Sequence, residues 1–93
     1  MTSIPAPDLK TVTPEEIRDL LLGLVASYLE KPVAEIGSDV KLVEYGLDSI
    51  FALTLCGDIE DEYDIEIKAT LAWDHPTVDA ITAFLYETLT ARA

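Results

Sequence analysis

The chain has 93 residues, of which 49% are hydrophobic and 26% charged, so it can form one compact core and is too short for two. Its 18 acidic and 6 basic residues give a formal net charge of −12, which opposes binding to nucleic-acid phosphates or an anionic membrane surface and favours partners with basic patches. A single cysteine, Cys56, excludes an internal disulfide and a cysteine-based zinc site, and is typical of a reducing compartment.

No segment has the composition of a membrane span or a secretory signal. The longest apolar cluster, 20–29, is interrupted by Gly23, Ser27 and Tyr28. The first residues lack a basic region followed by an apolar run. We therefore expect a cytoplasmic protein.

The N-terminal residues 1–12 contain Pro5 and Pro7 and no periodic apolar pattern, which predicts a flexible tail before a folded domain over 13–93. Thr13-Pro14-Glu15-Glu16 then has the form of a capping box, with proline at the first helical position. We expect the helix that follows to end before Pro32, because a proline disfavours helical geometry in the residue before it. The helix is predicted to be amphipathic, because apolar residues recur along it at intervals of three and four. These residues are Ile17, Leu20, Leu21, Leu24, Tyr28 and Leu29.

The segment 31–47 has neither a helical nor a strand period. A loop of this length is unusual in a small domain unless it packs on the core or serves a function. We expect it to pack, because apolar residues are spaced through it: Val33, Ile36, Val40, Leu42, Tyr45 and Leu47.

A second helix is predicted from an N-cap at Asp48 to about Asp64. Its core face is formed by Ala52, Cys56, Ile59 and Tyr63, with Leu55 alongside, whereas Phe51 and Leu53 lie off that face. The alternation at 65–67 is typical of a strand, but no second strand-like run offers a partner, so no strand is expected.

A short helical turn is predicted at 70–73, and Pro76 prevents it from continuing. Thr77 then caps a last helix with an apolar stripe of Val78, Ile81, Phe84, Leu85 and Leu89. The pattern predicts an all-α bundle of three to four helices: three main helices, one short helix and a long loop between the first two.

The segment 46–50, Gly-Leu-Asp-Ser-Ile, lies where the long loop meets the second helix. Ser49 projects from the first helical turn, near unpaired backbone N–H groups, where the helix dipole favours a phosphodiester. Gly46 is the residue type that best accepts an unusual backbone angle or the close approach of another protein. Taken alone, these residues also fit an ordinary turn and cap.

The segment resembles the attachment motif of acyl and peptidyl carrier proteins, and the resemblance extends over roughly 13–90. The order of a capped helix, a long loop, a serine at the start of the second helix, an acidic stretch and the segment 73–78 (Trp-Asp-His-Pro-Thr-Val) agrees with that family. The resemblance implies a bundle of acyl-carrier type. It also implies that Ser49 receives 4′-phosphopantetheine from coenzyme A, with Gly46, Leu47 and Asp48 completing the attachment segment.

The resemblance further implies that the chain is not itself an enzyme. A separate phosphopantetheinyl transferase with Mg²⁺ would activate the Ser49 hydroxyl, and Asp48 would help to position the metal in that complex; the chain itself has no expected metal site. The expected role is that of a monomeric acyl carrier. It would present thioesters to the ketosynthases, acyltransferases or other enzymes of polyketide or fatty-acid biosynthesis.

Acidic residues crowd the second helix and its exit, with no cation before Lys68. Pairs such as Asp58 and Glu62 place like charges at i,i+4 and each cost about 0.2–0.5 kcal/mol of helix stability, so stability alone does not explain them. A solvated face is the simpler interpretation, whereas in the carrier family such a helix is the docking surface. The predicted docking residues are Ile50, Phe51, Gly57, Asp58, Glu60, Asp61 and Glu62.

Two of these residues allow more than one interpretation. Phe51 fits either an exposed apolar patch beside Ser49 or packing under the preceding loop. Gly57 costs up to about 1 kcal/mol in mid-helix relative to alanine, and permits the close approach of a partner or of another helix.

Three alternatives remain for function. A peptidyl carrier of nonribosomal peptide synthesis fits the same motif, although the charge and the acidic segment favour the acyl type. An unmodified acidic helical module that binds basic partners is an alternative from a different class, and an enzyme using Cys56 or His75 is the third. We expect Cys56 to be inert in the core, His75 to cap or pack against the last helix, and Trp73 to cover the core.

Overall fold

The computed structural model describes residues 12–92, which form four α-helices. These are α1 (Pro14–Leu29), α2 (Ser49–Tyr63), α3 (Leu71–Asp74) and α4 (Val78–Arg92), with two short 3₁₀ helices, Val33–Glu35 and Leu42–Tyr45, between α1 and α2. Within the described range there is no strand, and the predicted all-α bundle with a long first loop is confirmed.

Helix α1 begins with the predicted capping box. The Thr13 hydroxyl accepts a hydrogen bond from the Glu16 N–H at 3.2 Å, and the Glu16 carboxylate accepts one from the Thr13 N–H at 3.3 Å. The flexible tail predicted for 1–12 lies outside the described residues except for Val12, which is only 8% exposed and belongs to the core. The packed part of the chain therefore includes one residue more than predicted.

The core lies between α1 and α4 and is completed by α2, α3 and the long loop. Burying a side chain of this size contributes about 1.5–3 kcal/mol, so the apolar stripes hold the bundle together. The fully buried large side chains are Ile17, Leu21, Val25, Leu42, Leu55, Ile59, Val78, Ile81, Leu85 and Leu89.

The long loop packs on the core as predicted, and its middle is tied to the start of α4. Leu42 is fully buried, and its N–H donates to the Pro76 carbonyl at 2.8 Å. The Asp79 N–H donates to the Ser38 carbonyl at 2.9 Å. Val33 is 50% exposed, so not every apolar residue of the loop turns inward. These bonds fix the course of the loop shortly before it reaches Asp48.

The segment around α3 confirms one expectation and contradicts another. His75 stacks on Phe84 of α4, with ring centroids 4.5 Å apart. Trp73 is 49% exposed, so the prediction that it covers the core is wrong. A single helical turn has few inward positions, and Leu71 and Ala72 occupy them.

Candidate functional site

The turn that leads into α2 depends on Gly46. This residue has φ 89° and ψ 29°, in the left-handed region, and its N–H donates to the Val43 carbonyl at 3.2 Å. A Cβ placed on Gly46 would meet no atom within 4 Å. Glycine is therefore favoured here for its backbone angle and not for lack of space. The Leu47 N–H then donates to the Leu42 carbonyl at 3.3 Å, which anchors the turn on a buried residue.

Asp48 sets the start of α2 and the position of Ser49. Its Oδ1 accepts a hydrogen bond from the Phe51 N–H at 2.8 Å, and its carbonyl accepts one from the Ala52 N–H at 2.9 Å. Ser49 is thereby the first helical residue and is exposed. The side chain of Asp48 satisfies one of the orphan N–H groups of the first turn, and those of Ser49 and Ile50 remain at the positive end of the helix.

A phosphate ester on Ser49 fits this position, because the hydroxyl is exposed and the nearby backbone N–H groups favour an anion. No hydrogen bond joins this hydroxyl to a carboxylate or imidazole within residues 12–92. The same residues contain no group of three His, Cys, Asp or Glu side chains that converge on a metal position. Ser49 is therefore exposed, and no base among the described residues is hydrogen-bonded to its hydroxyl.

The exposed face of α2 is apolar next to Ser49. Ile50 is 76% exposed and Leu53 58% exposed. Phe51 is partly buried and contacts Tyr28 edge to face, with ring centroids 5.3 Å apart, so the packing contact shown is with α1, whereas the sequence interpretation was packing under the preceding loop. Leu53 was not among the predicted docking residues, although its position off the core stripe was a signal that it is exposed.

Further along α2, Gly57 leaves a gap in this face. It is partly exposed, and an added Cβ would meet no atom within 4 Å. No other helix therefore approaches this glycine closely within the described part of the chain, and the space it leaves is open to a partner.

The acidic residues of α2 fall into two pairs with different surroundings. Asp58 accepts a hydrogen bond from the Tyr28 hydroxyl, and Glu60 accepts one from the Ile67 N–H at 2.8 Å. Both are partly buried, whereas Asp61 and Glu62 are exposed. The first pair therefore stabilises the fold, and the second pair presents its charge to solvent.

Two tyrosines packed beside these carboxylates have raised pKa values. Burial, followed by the hydrogen bond and charge of Asp58, raises the pKa of the Tyr28 hydroxyl well above its usual range. Burial, followed by the charges of Glu62 and Glu16, raises the pKa of Tyr63 to about 12. Both hydroxyls are therefore neutral at physiological pH.

Cys56 has the surroundings of an inert core thiol. It is 5% exposed, and its Sγ contacts the Lys68 carbonyl at 3.4 Å. Burial, followed by the charge of Glu60, raises the pKa of this thiol, which lowers the thiolate fraction that a nucleophile needs. His75, the other residue of the enzyme alternative, packs by stacking on Phe84.

None of the helices between residues 12 and 92 combines the length and the apolar composition needed to cross a bilayer.

A family model described as a phosphopantetheine attachment site matches residues 19–85. A 6-methylsalicylic acid synthase of Penicillium expansum is 32% identical over 81 residues, which cover 87% of this chain and 4% of the synthase. The chain thus spans a small part of the length of that relative.

Two solved structures extend the comparison to the fold. A free-standing peptidyl carrier protein from an uncharacterized secondary metabolic pathway of Acinetobacter baumannii is 37% identical, with a TM-score of 0.79, covering 82% of this chain and 95% of that one. The HMG-ACPI domain of the CurA module from Lyngbya majuscula is 30% identical, with a TM-score of 0.81, covering 98% and 92%.

Proposed function

Because the chain belongs to the phosphopantetheine attachment family, whose members carry a 4′-phosphopantetheine group, we propose that Ser49 is the residue that carries this group here. The observation that carries the proposal is the exposed Ser49 hydroxyl at the first turn of α2, inside the matched residues 19–85. Gly46 and Leu47 shape the turn, and Asp48 caps the helix, so that Ser49 is exposed at its first turn.

The chain supplies position and accessibility, and a second protein supplies the activation. Since no base among residues 12–92 is hydrogen-bonded to the Ser49 hydroxyl, a separate phosphopantetheinyl transferase acting with Mg²⁺ would take up its proton. The hydroxyl oxygen would then bond to the β-phosphorus of coenzyme A, and adenosine 3′,5′-bisphosphate would leave. One oxygen of Asp48 is engaged by the Phe51 N–H, and the exposed carboxylate can help to position that metal in the complex. When bound, the arm holds acyl groups as thioesters on its terminal thiol.

The family match supports an acyl carrier, and we propose that it serves polyketide assembly. Support comes from the similarity to a 6-methylsalicylic acid synthase and to an acyl carrier domain of a biosynthetic module. The partners would be ketosynthases, acyltransferases or related enzymes. A single chain is sufficient for this role, since Ser49 and its surroundings are all supplied by one bundle.

The docking surface we propose is the exposed face of α2. Ile50, Leu53, Gly57 and Asp61 follow one another at intervals of three and four residues, so they lie on one side of the helix. Two apolar side chains therefore lie nearest Ser49, and Asp61 lies eleven residues beyond Ile50, about 16 Å along the helix axis. Asp61 and Glu62 would attract basic partners, and their effect on the association rate should fall as salt rises.

The proposal is tested by incubating the protein with coenzyme A, Mg²⁺ and a phosphopantetheinyl transferase of broad specificity, and then measuring its mass. We expect the mass of one pantetheinyl group to be added to the wild type and not to Ser49→Ala. Ser27→Ala, which removes another exposed serine, is the matched control and should still be modified. An unmodified wild type would refute the carrier function and leave the acidic interaction module as the remaining interpretation.

A peptidyl carrier is the second candidate, because the free-standing peptidyl carrier from Acinetobacter baumannii is 37% identical over most of both chains. The two types differ in the enzymes that load them. Holo-protein should therefore be offered to a malonyl-specific acyltransferase with malonyl-coenzyme A, and separately to adenylation domains with ATP and amino acids. Malonyl loading supports the acyl type, and aminoacyl loading alone would reassign the chain as a peptidyl carrier.

A further inference from the structure

A groove opens beside Ser49, between the end of α1 and the start of α2. It has a volume of about 350 Å³ and is lined by Tyr28, Gly46, Asp48, Ile50, Phe51 and Thr54. Asp48 and Ile50 are the chain neighbours of Ser49, so one end of the groove adjoins the proposed attachment point. Thr54 lies five residues beyond Ser49 in α2, about 7.5 Å along the helix axis.

We propose that this groove is a resting site for the pantetheine arm, which lies against Tyr28 and Phe51 when no partner is docked. The inference rests on the proposed function, because it requires the arm to be attached at Ser49. It adds a binding role for Tyr28 and Thr54, neither of which belongs to the attachment segment.

The groove wall that would receive the arm is already formed. Tyr28 and Phe51 meet edge to face with centroids 5.3 Å apart, and the Tyr28 hydroxyl donates to Asp58. These contacts hold the Tyr28 ring in place before anything binds, so little ordering is needed on binding. Gly46 has no side chain to close the loop side of the groove, and nothing lies within 4 Å of where its Cβ would be.

The chemistry of the lining suits pantetheine. Its branched dimethyl carbon is apolar and suits the two aromatic rings, and its hydroxyl and two amides can form hydrogen bonds. Thr54 is exposed, and its hydroxyl can donate to an amide carbonyl or accept from an amide N–H. Beyond its phosphate, pantetheine is uncharged, so the net charge of −12 does not repel it as it would a free anionic ligand.

The arm is also the occupant that needs the least affinity. A ligand held by a short flexible tether is present at its site at an effective concentration of about millimolar, so even a groove with low affinity for the arm is substantially occupied. A free small molecule would have to bind an open surface groove without that advantage. A shallow groove next to the attachment point therefore fits a tethered occupant.

The test uses isotope-labelled protein modified with unlabelled coenzyme A, so that filtered NOE spectra show only contacts between arm and protein. The mass is measured first, and spectra are recorded on fully modified protein. We expect NOEs from the arm methyl protons to the ring protons of Tyr28 and Phe51. The amide signal of Thr54 should also shift between the apo and holo forms.

Thr54→Arg is designed to fill the groove from an exposed position on α2. Ser27→Arg is the matched control, since Ser27 is exposed on α1 next to Tyr28 but does not line the groove. Both variants should be modified and folded, and only Thr54→Arg should lose the NOEs to Tyr28 and Phe51.

Three results would overturn the inference without affecting the carrier function. These are contacts confined to 48–50 in modified protein, contacts with α3 or α4 in place of Tyr28 and Phe51, and NOEs that persist in Thr54→Arg. A wild type that gains no mass would refute the proposed function and the resting site together. The mass measurement therefore separates the two failures.

Discussion

Two glycines close to Ser49 should respond in opposite ways to the same substitution. Gly46 ends the loop at φ 89°, and Gly57 lies inside α2. At both positions an added Cβ would meet no atom within 4 Å, so alanine introduces no clash at either. Any difference between Gly46→Ala and Gly57→Ala therefore comes from the backbone conformation.

The expected sizes follow from the cost of each conformation. An L-residue in the left-handed region costs about 1–2 kcal/mol, only partly offset by the smaller entropy of the unfolded alanine chain. Gly46→Ala should therefore lower the free energy of unfolding by about 1 kcal/mol. In a helix interior alanine is favoured over glycine by about 0.5–1 kcal/mol, so Gly57→Ala should raise it. For a domain of this size, 1 kcal/mol corresponds to about 4–8 °C in Tm.

Urea unfolding followed by far-UV circular dichroism measures both effects, with the wild-type m-value as the check on two-state behaviour. A Gly46→Ala variant as stable as the wild type would contradict the left-handed turn before Asp48. A destabilised Gly57→Ala variant would mean that a neighbouring element packs on that glycine. If Gly57→Ala is stabilised but is modified or loaded more slowly, the loss belongs to partner docking and not to the fold.

Three further predictions concern buried or partly buried side chains. Tyr28→Phe should lower the free energy of unfolding by about 0.5–1.5 kcal/mol, and a double-mutant cycle with Asp58→Ala should show that the two losses do not add. Because Tyr63 keeps its proton in the folded state up to a pKa of about 12, against a usual 10.0, stability should fall as pH rises through that interval. Tyr63→Phe should flatten that fall in urea titrations at each pH. Iodoacetamide should alkylate Cys56 slowly in the native state and rapidly in urea, and equal rates would contradict its burial.

Local chemistry is the part of this fold that the sequence predicts best. The caps at Thr13 and Asp48 depend on residues within three positions of each other, so their hydrogen bonds are visible in the sequence. The apolar stripe of α2 is likewise a local pattern, and all five of its predicted core residues are buried. Ser49 follows directly from the second cap, which is why its exposed position could be predicted.

Contacts between distant residues are the part that the sequence does not predict. Tyr28 and Asp58 are 30 residues apart, and nothing local indicates that they form a hydrogen bond. Trp73 was expected to cover the core, but α3 is a single turn with no period from which to infer its inner face. The groove beside Ser49 depends on the Tyr28 and Phe51 contact, so it too becomes visible only when α1 and α2 are brought together.

The acidic residues of α2 show why the charge pattern alone was insufficient. Like charges at i,i+4 cost about 0.2–0.5 kcal/mol each, whereas a hydrogen bond to a charged group contributes about 1.5–3 kcal/mol. Asp58 and Glu60 each accept such a bond, from Tyr28 and from the Ile67 N–H, so the fold offsets their repulsion. The exposed Asp61 accepts no such bond among residues 12–92, and it lies three residues from both Asp58 and Asp64, so the repulsion from these neighbours is left without compensation.

Asp61 should therefore behave differently from Asp58 when its charge is removed. Asp58→Asn disturbs the bond to Tyr28 and should lower stability, with little salt dependence because the site is partly buried. Asp61→Asn should leave stability unchanged or slightly higher, while slowing modification by a basic transferase at low salt and not at high salt. If only Asp58→Asn is modified more slowly, the docking charge is at Asp58, where α2 contacts Tyr28 of α1, and not on the face that carries Ile50 and Leu53. Equal behaviour of the two variants would contradict the division of the acidic residues into structural and docking charges.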